Sequence, residues 1–96
     1  MFEMNEKTLV AFIVQEWLFK IKGGKLSNFL KAANEYFGDF IYGKIWSSLV
    51  DIWECIDDNG CLESRRVETV AQGAGLDLSK DVTWRNLKQK EKKYVR

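Results

Sequence analysis

Apolar residues recur at three- and four-residue intervals along most of this chain, and that period is typical of amphipathic helices. In the first such segment the spaced apolar positions are Leu9, Phe12, Ile13, Trp17, Leu18 and Ile21. Val10, Val14 and Phe19 widen this stripe, so we expect the helix to be buried on more than one side or to lie in a dimer. The chain contains no proline, and no helix is therefore forced to kink. The pattern predicts an all-α fold.

Cap and turn residues set the expected limits of the first helix. Asn5 and Thr8 are the N-cap candidates, and the helix is expected to run to about Ile21. Gly23-Gly24 would end it, because glycine readily adopts the backbone conformation that follows a helix C-terminus.

Two further helices are expected within the first 57 residues. One would span about residues 27–36 and stop at Gly38, and the next would span about residues 39–57 with Asp39 as its cap. Asp58-Asn59-Gly60 then predicts a turn. Their expected apolar faces are Phe29, Leu30, Ala33 and Phe37 in the second helix, and Ile41, Ile45, Leu49, Ile52, Trp53 and Ile56 in the third.

The residue types that are missing argue against an enzyme. The chain has no histidine, which is the commonest general base and metal ligand in proteins. Cys55 and Cys61 could form a disulfide, but two reduced thiols are the simpler expectation, and a zinc site would need two more ligands. No cofactor or metal is expected. The apolar run at residues 9–14 is too short for a membrane span and lacks signal-peptide features, so we expect a cytoplasmic protein.

Charge is distributed unevenly along the chain. Residues 1–64 hold six basic and ten acidic side chains, whereas residues 65–96 hold nine basic and four acidic ones. This asymmetry indicates a basic end that meets a polyanion, although lysines on a solvated helix would give the same counts.

The basic end also carries the pattern of two helices joined by a turn. Residues 66–75 read as a short helix with Val67, Val70, Ala71 and Ala74 facing inward. The small Ala71 side chain would let two helices cross closely, and Gly75 suits a sharp turn. Leu76 or Leu78 would fill the corner between the helices. Ser79 is expected to cap the next helix, through about Lys88, with its N-terminus toward a phosphate.

The C-terminal half resembles the winged helix-turn-helix family. Residues 52–62 look like the family's opening helix and its turn, residues 70–76 like its second helix, and residues 79–87 like its recognition helix. Residues 87–96 are similar to the family's exit from the recognition helix. The turn is about two residues longer than usual, at Asp77-Leu78. Lys90 and Lys93 replace a leucine and a glycine. Because the sequence stops at Arg96, we expect a wing that is short or absent.

This resemblance implies a helical bundle with a C-terminal helix-turn-helix that binds double-stranded DNA. We expect one domain over residues 1–96, with a helical layer at 1–40 that mediates homodimerisation and a helix-turn-helix at 41–96. The expected DNA-binding residues are Arg65, Arg66, Ser79, Lys80, Arg85, Asn86, Lys88, Gln89, Lys92 and Lys93. Trp84 is expected in the core with Leu87, and the other tryptophans in the core or at an interface.

The implied role is that of a transcriptional regulator or of a replication, plasmid or viral accessory factor. A different class of protein stays open, namely an interaction adaptor that uses the same scaffold to dock on a protein partner.

Overall fold

The computed structural model describes residues 3–38, 44–57 and 59–90. Its regular elements are α1 (Glu6–Ile21), α2 (Leu26–Phe37), α3 (Lys44–Glu54), α4 (Ser64–Gly73), a 3-10 turn (Leu78–Lys80) and α5 (Val82–Lys90). Between α3 and α4, Ile56 and Leu62 form an antiparallel bridge across the turn. The predicted all-α class is confirmed. None of the helices in the described ranges has the length and apolar content needed to cross a membrane.

The limits of α1 follow from its cap residues. The Asn5 side chain accepts a hydrogen bond from the Thr8 backbone N–H at 3.0 Å, and the Thr8 hydroxyl accepts one from the Asn5 N–H at 3.0 Å. This reciprocal pair satisfies two N–H groups that the first turn of a helix leaves unpaired. Beyond Ile21, Gly23 adopts a φ of +91°, which favours glycine. Both predicted limits of α1 are confirmed.

The apolar stripe of α1 is only partly buried. Its buried side chains are Leu9, Val10, Phe12, Ile13 and Trp17. Leu18 and Ile21 were expected to continue the stripe, but they are 57% and 52% exposed. In the last turn of the helix, Lys20 faces the neighbouring helix instead, and its Nζ donates to the backbone oxygens of Trp53 at 2.8 Å and Ile56 at 2.5 Å. These carbonyls lie at the end of α3 and just beyond it, and a lysine that hydrogen-bonds carbonyls there stabilises the helix end.

An aromatic cluster joins the first three helices. The Phe12 ring of α1 lies 5.2 Å from that of Phe29, 5.4 Å from that of Tyr36 and 5.3 Å from that of Phe37, all in α2. Phe29 in turn lies 4.9 Å from the Trp53 ring of α3. Tilted rings at these separations contribute beyond their buried area. The predicted apolar face of α2 therefore forms much of the contact between α1 and α3.

The remaining core residues connect the two halves of the described chain in one cluster. They are Leu49, Ile52, Cys55 and Ile56 from α3 and its end, Leu62 from the bridge, Val67 and Ala71 from α4, Leu78 from the 3-10 turn and Trp84 from α5. The Asp39 cap, the side chains of Ile41 and Ile45, and Asp58 lie outside what the structure describes. Gly38 and Gly60, predicted at turns, have φ values of +65° and +81°.

Candidate nucleic-acid interface

The connection from α4 to α5 begins at the C-terminal end of α4, where a glycine makes the turn. Gly75 has a φ of +85°, and its N–H donates to the Gln72 oxygen at 2.9 Å while the Leu76 N–H donates to the Ala71 oxygen at 2.9 Å. These bonds satisfy carbonyls that the end of α4 leaves free. Ala71 is buried, as expected for a close helix crossing. The prediction of a sharp turn at Gly75 is confirmed.

The next part of the connection is fixed by Asp77. Its backbone N–H donates to the Glu6 Oε2 atom at 3.1 Å, which ties the turn to the start of α1. That hydrogen bond is the main reason why the pKa of Glu6 is lowered. The Asp77 carboxylate accepts hydrogen bonds from the Ser79 backbone N–H at 3.1 Å and from the Ser79 hydroxyl at 2.5 Å. These bonds lower the pKa of Asp77 as well.

Ser79 is not the cap of α5, and that prediction is wrong. Ser79 lies within the 3-10 turn. Asp81 takes the capping role, because its Oδ1 atom accepts from the Trp84 N–H at 2.9 Å and its backbone oxygen accepts from the Arg85 N–H at 3.1 Å. The helix starts later than expected because Asp77 engages Ser79 and Leu78 is buried in the corner. A carboxylate at the helix N-terminus also opposes the phosphate contact expected there.

The sequence of α5 gives it a buried side and an exposed side. Trp84 is fully buried, and Leu87 packs against the core, as predicted. Arg85, Asn86 and Gln89 are exposed. Because these three positions follow helical spacing, they share one face of α5, opposite Trp84. That face offers a guanidinium and two amides to solvent.

Lys88 lies at the edge of the buried side. Its Nζ atom is 2.8 Å from the Glu68 carboxylate of α4, so the pair holds α5 against α4. This partner lies twenty residues away in the sequence, and no local pattern could have indicated it.

The other predicted cations differ in their surroundings. Arg65 and Lys80 are exposed. The charge of Lys80 helps to lower the pKa of both Glu6 and Asp77. Arg66 lies 3.8 Å from carboxylate oxygens of Glu54 and Glu63, in exposed pairs of the kind that contribute little stability. Lys92 and Lys93 lie outside the described residues.

The described part of the chain also carries acidic and thiol groups outside α4 and α5. No cluster of three or more potential metal ligands occurs there. Cys55 and Cys61 do not form a disulfide. Burial raises the pKa of Cys55 to about 11, and its Sγ atom donates to the Asp51 oxygen at 3.1 Å. A thiol that is buried and protonated is a poor nucleophile.

A second exposed feature lies at the end of α1, where the sequence predicted either burial within the subunit or a dimer contact. Leu18, Phe19 and Ile21 are exposed, and Phe19 lies against the backbone of Gly24. Val10, in contrast, is buried within the subunit, so it cannot widen a contact surface as expected. Trp46 at the start of α3 is likewise exposed rather than in the core.

Comparison with protein-family models, with curated proteins and with solved structures gives no match to this chain.

Proposed function

We propose that this protein binds double-stranded DNA through α4, the 3-10 turn and α5, which would act as a helix-turn-helix with α5 in the major groove. The observation that carries the proposal is the composition of one helix face: Arg85, Asn86 and Gln89 are exposed together, while Trp84 anchors the opposite side. Arginine, asparagine and glutamine are the side chains that hydrogen-bond base edges in pairs. A fully buried anchor would hold them in a fixed orientation.

Each residue has a separate role in this proposal. Arg85 would contact guanine, and Asn86 and Gln89 would contact adenine. Arg65 and Lys80, which are exposed, would contact phosphates. Such contacts position a protein on the duplex without reading its sequence.

The other predicted residues have secondary roles. Lys88, held by Glu68, would position α5 rather than bind the duplex. Arg66 would have to exchange Glu54 and Glu63 for a phosphate. Ser79 would act through the turn, by its hydrogen bonds to Asp77. Lys92 and Lys93 stay predictions for phosphate contact.

The carboxylates at the start of α5 limit how the duplex could approach. Asp77 and Asp81 both lie within five residues before the helix, and their charges would repel a phosphate placed at its N-terminus. We therefore infer that α5 enters the groove with its exposed side, which carries Arg85 and Gln89, toward the bases, and that no phosphate lies at its N-terminal N–H groups.

A homodimer is part of the same proposal. Leu18 and Ile21, each more than half exposed, lie within the 1–40 layer. Contact between two such ends would cover apolar surface and set two α5 helices at a fixed distance, as proteins that read two half-sites require. Light scattering at high micromolar concentration without DNA checks this, and a monomer mass would contradict it.

The alternative function, docking on a protein partner, is favoured by the same exposed side chains of α1. Salt dependence distinguishes the two functions. DNA binding releases counterions, so its affinity falls steeply with salt, whereas apolar docking is nearly indifferent to salt. The experiment is a mobility-shift assay with random-sequence duplex at 50 and 200 mM salt. Loss of affinity at the higher salt supports DNA binding, and absence of a shift at both contradicts it.

A further inference from the structure

Val82 is an apolar side chain without a place in the core. It opens α5 and is 59% exposed, the highest value among the exposed large apolar residues that the structure describes. It does not pack against the hydrophobic cluster that holds Trp84 and Leu87. Valine is also a weaker helix former than alanine. Neither packing nor helix propensity accounts for a valine at this position.

The position of Val82 on the helix indicates what it could contact. Val82, Arg85, Asn86 and Gln89 are spaced at i, i+3, i+4 and i+7, so they lie along one face of α5. On this face the apolar side chain of Val82 is followed by three side chains that can form hydrogen bonds. The major groove has the matching chemistry, because thymine presents an apolar C5-methyl group there beside the donors and acceptors of its neighbours.

We propose that Val82 contacts the C5-methyl group of a thymine and so determines part of the sequence preference. The inference rests on the proposed function, in which the exposed face of α5 enters the major groove. Val82 and Arg85 are about 4.5 Å apart along the helix axis, at about 1.5 Å per residue. Base pairs are spaced by about 3.4 Å. The thymine therefore lies one or two base pairs from the base that Arg85 contacts.

The test uses a duplex that the full chain selects from a random pool, remade with deoxyuridine in place of thymidine at one position at a time. Uracil pairs like thymine but lacks the methyl group. We expect one substituted position to weaken binding about fourfold, as the loss of one buried methyl group predicts. The V82A variant should bind the thymine and uracil duplexes equally.

The matched control is T83A, which truncates the exposed β-branched side chain next to Val82 on α5, off the face that Val82 shares with Arg85, and should retain the full thymine preference. Circular dichroism checks that both variants are folded. If no uracil position weakens binding, or if V82A keeps the preference, the role of Val82 is wrong while DNA binding stands. If the parent chain selects and binds no duplex, the proposed function fails and this inference fails with it.

Discussion

The indole N–H of Trp17 donates a buried hydrogen bond of 2.7 Å to the backbone oxygen of Gly60. Through this bond α1 holds the turn between α3 and α4, and the Ile21 side chain lies where a Cβ atom on Gly60 would be. The buried indole of Trp84 differs, because its Nε1 atom has no hydrogen-bond partner in the described part of the chain. The two tryptophans therefore stabilise the fold by different means.

Replacing each of these tryptophans by phenylalanine should show the difference. W17F leaves the buried Gly60 carbonyl without its donor. W84F instead removes a buried N–H group that has no hydrogen-bond partner in the described part of the chain. Both variants leave a cavity. We expect W17F to lower the free energy of unfolding by about 1–3 kcal/mol more than W84F does. Urea unfolding measures both values, and an equal or larger loss in W84F would contradict the assignment.

The cap of α5 can be tested at the two residues that compete for it. Because Asp81 accepts from the Trp84 N–H, D81A should cost about 1 kcal/mol of unfolding free energy. S79A should cost less, since the Ser79 hydroxyl makes an exposed hydrogen bond to the Asp77 side chain. D81N is the matched control and should stay close to the parent, because asparagine caps as well as aspartate. A larger loss in S79A than in D81A would restore Ser79 as the cap.

Glu16 is an acidic side chain in a buried position of α1, only 4% exposed. Burial disfavours the charged carboxylate and raises the pKa of Glu16. The folded protein therefore holds this proton more tightly than the unfolded chain, and stability falls as pH rises from the ordinary pKa of glutamate through the raised one. Above the raised pKa the full cost of burying the charge is present.

E16Q should remove that dependence. We expect E16Q to be more stable than the parent at pH 7, with the difference shrinking toward about pH 3, which lies well below the ordinary pKa of glutamate, so that Glu16 is protonated in both states. Urea unfolding of the two proteins across this range provides the measurement. E35Q, which changes an exposed glutamate on α2, is the control. A stability difference that does not vary with pH would show that Glu16 does not titrate in this way.

Arg85 is predicted to read a base rather than only to supply charge. On a selected duplex, R85A should weaken binding by about 1–3 kcal/mol and relax the preference at one position. R85K keeps the charge but not the planar pair of donors. It should therefore bind random duplex as the parent does while losing the same preference. Unchanged discrimination by R85K would mean that Arg85 contacts phosphate.

Local side-chain chemistry made several features of the fold predictable. Asn5 and Thr8 define the start of α1 with atoms only three residues apart, and Gly75 marks its turn through backbone sterics alone. The start of α5 was harder, because Asp77, Ser79 and Asp81 can all cap a helix. The choice among them depends on the burial of Leu78, which is a tertiary effect.

The candidate interface was predictable in part for the same reason. Helical spacing from Trp84 correctly predicted that Arg85 and Asn86 are exposed. It could not predict that Lys88 pairs with Glu68, since only the packing of α5 on α4 brings them together. Nor could periodicity reveal that Leu18 is exposed, because Lys20 occupies the side of α1 that faces the end of α3.

The most direct test of DNA binding by α5 compares two double variants of equal charge. K80A/R85A removes one exposed cation from the 3-10 turn and one from α5. K25A/K31A removes two exposed cations from α2, one at its N-cap and one within the helix. Binding to random-sequence duplex is measured by mobility shift at 50 mM salt, with circular dichroism to show that both variants are folded. The proposal predicts at least about a tenfold loss for K80A/R85A and affinity close to the parent's for K25A/K31A. Equal affinities of the two variants, or binding by K80A/R85A as tight as that of the parent, would contradict it.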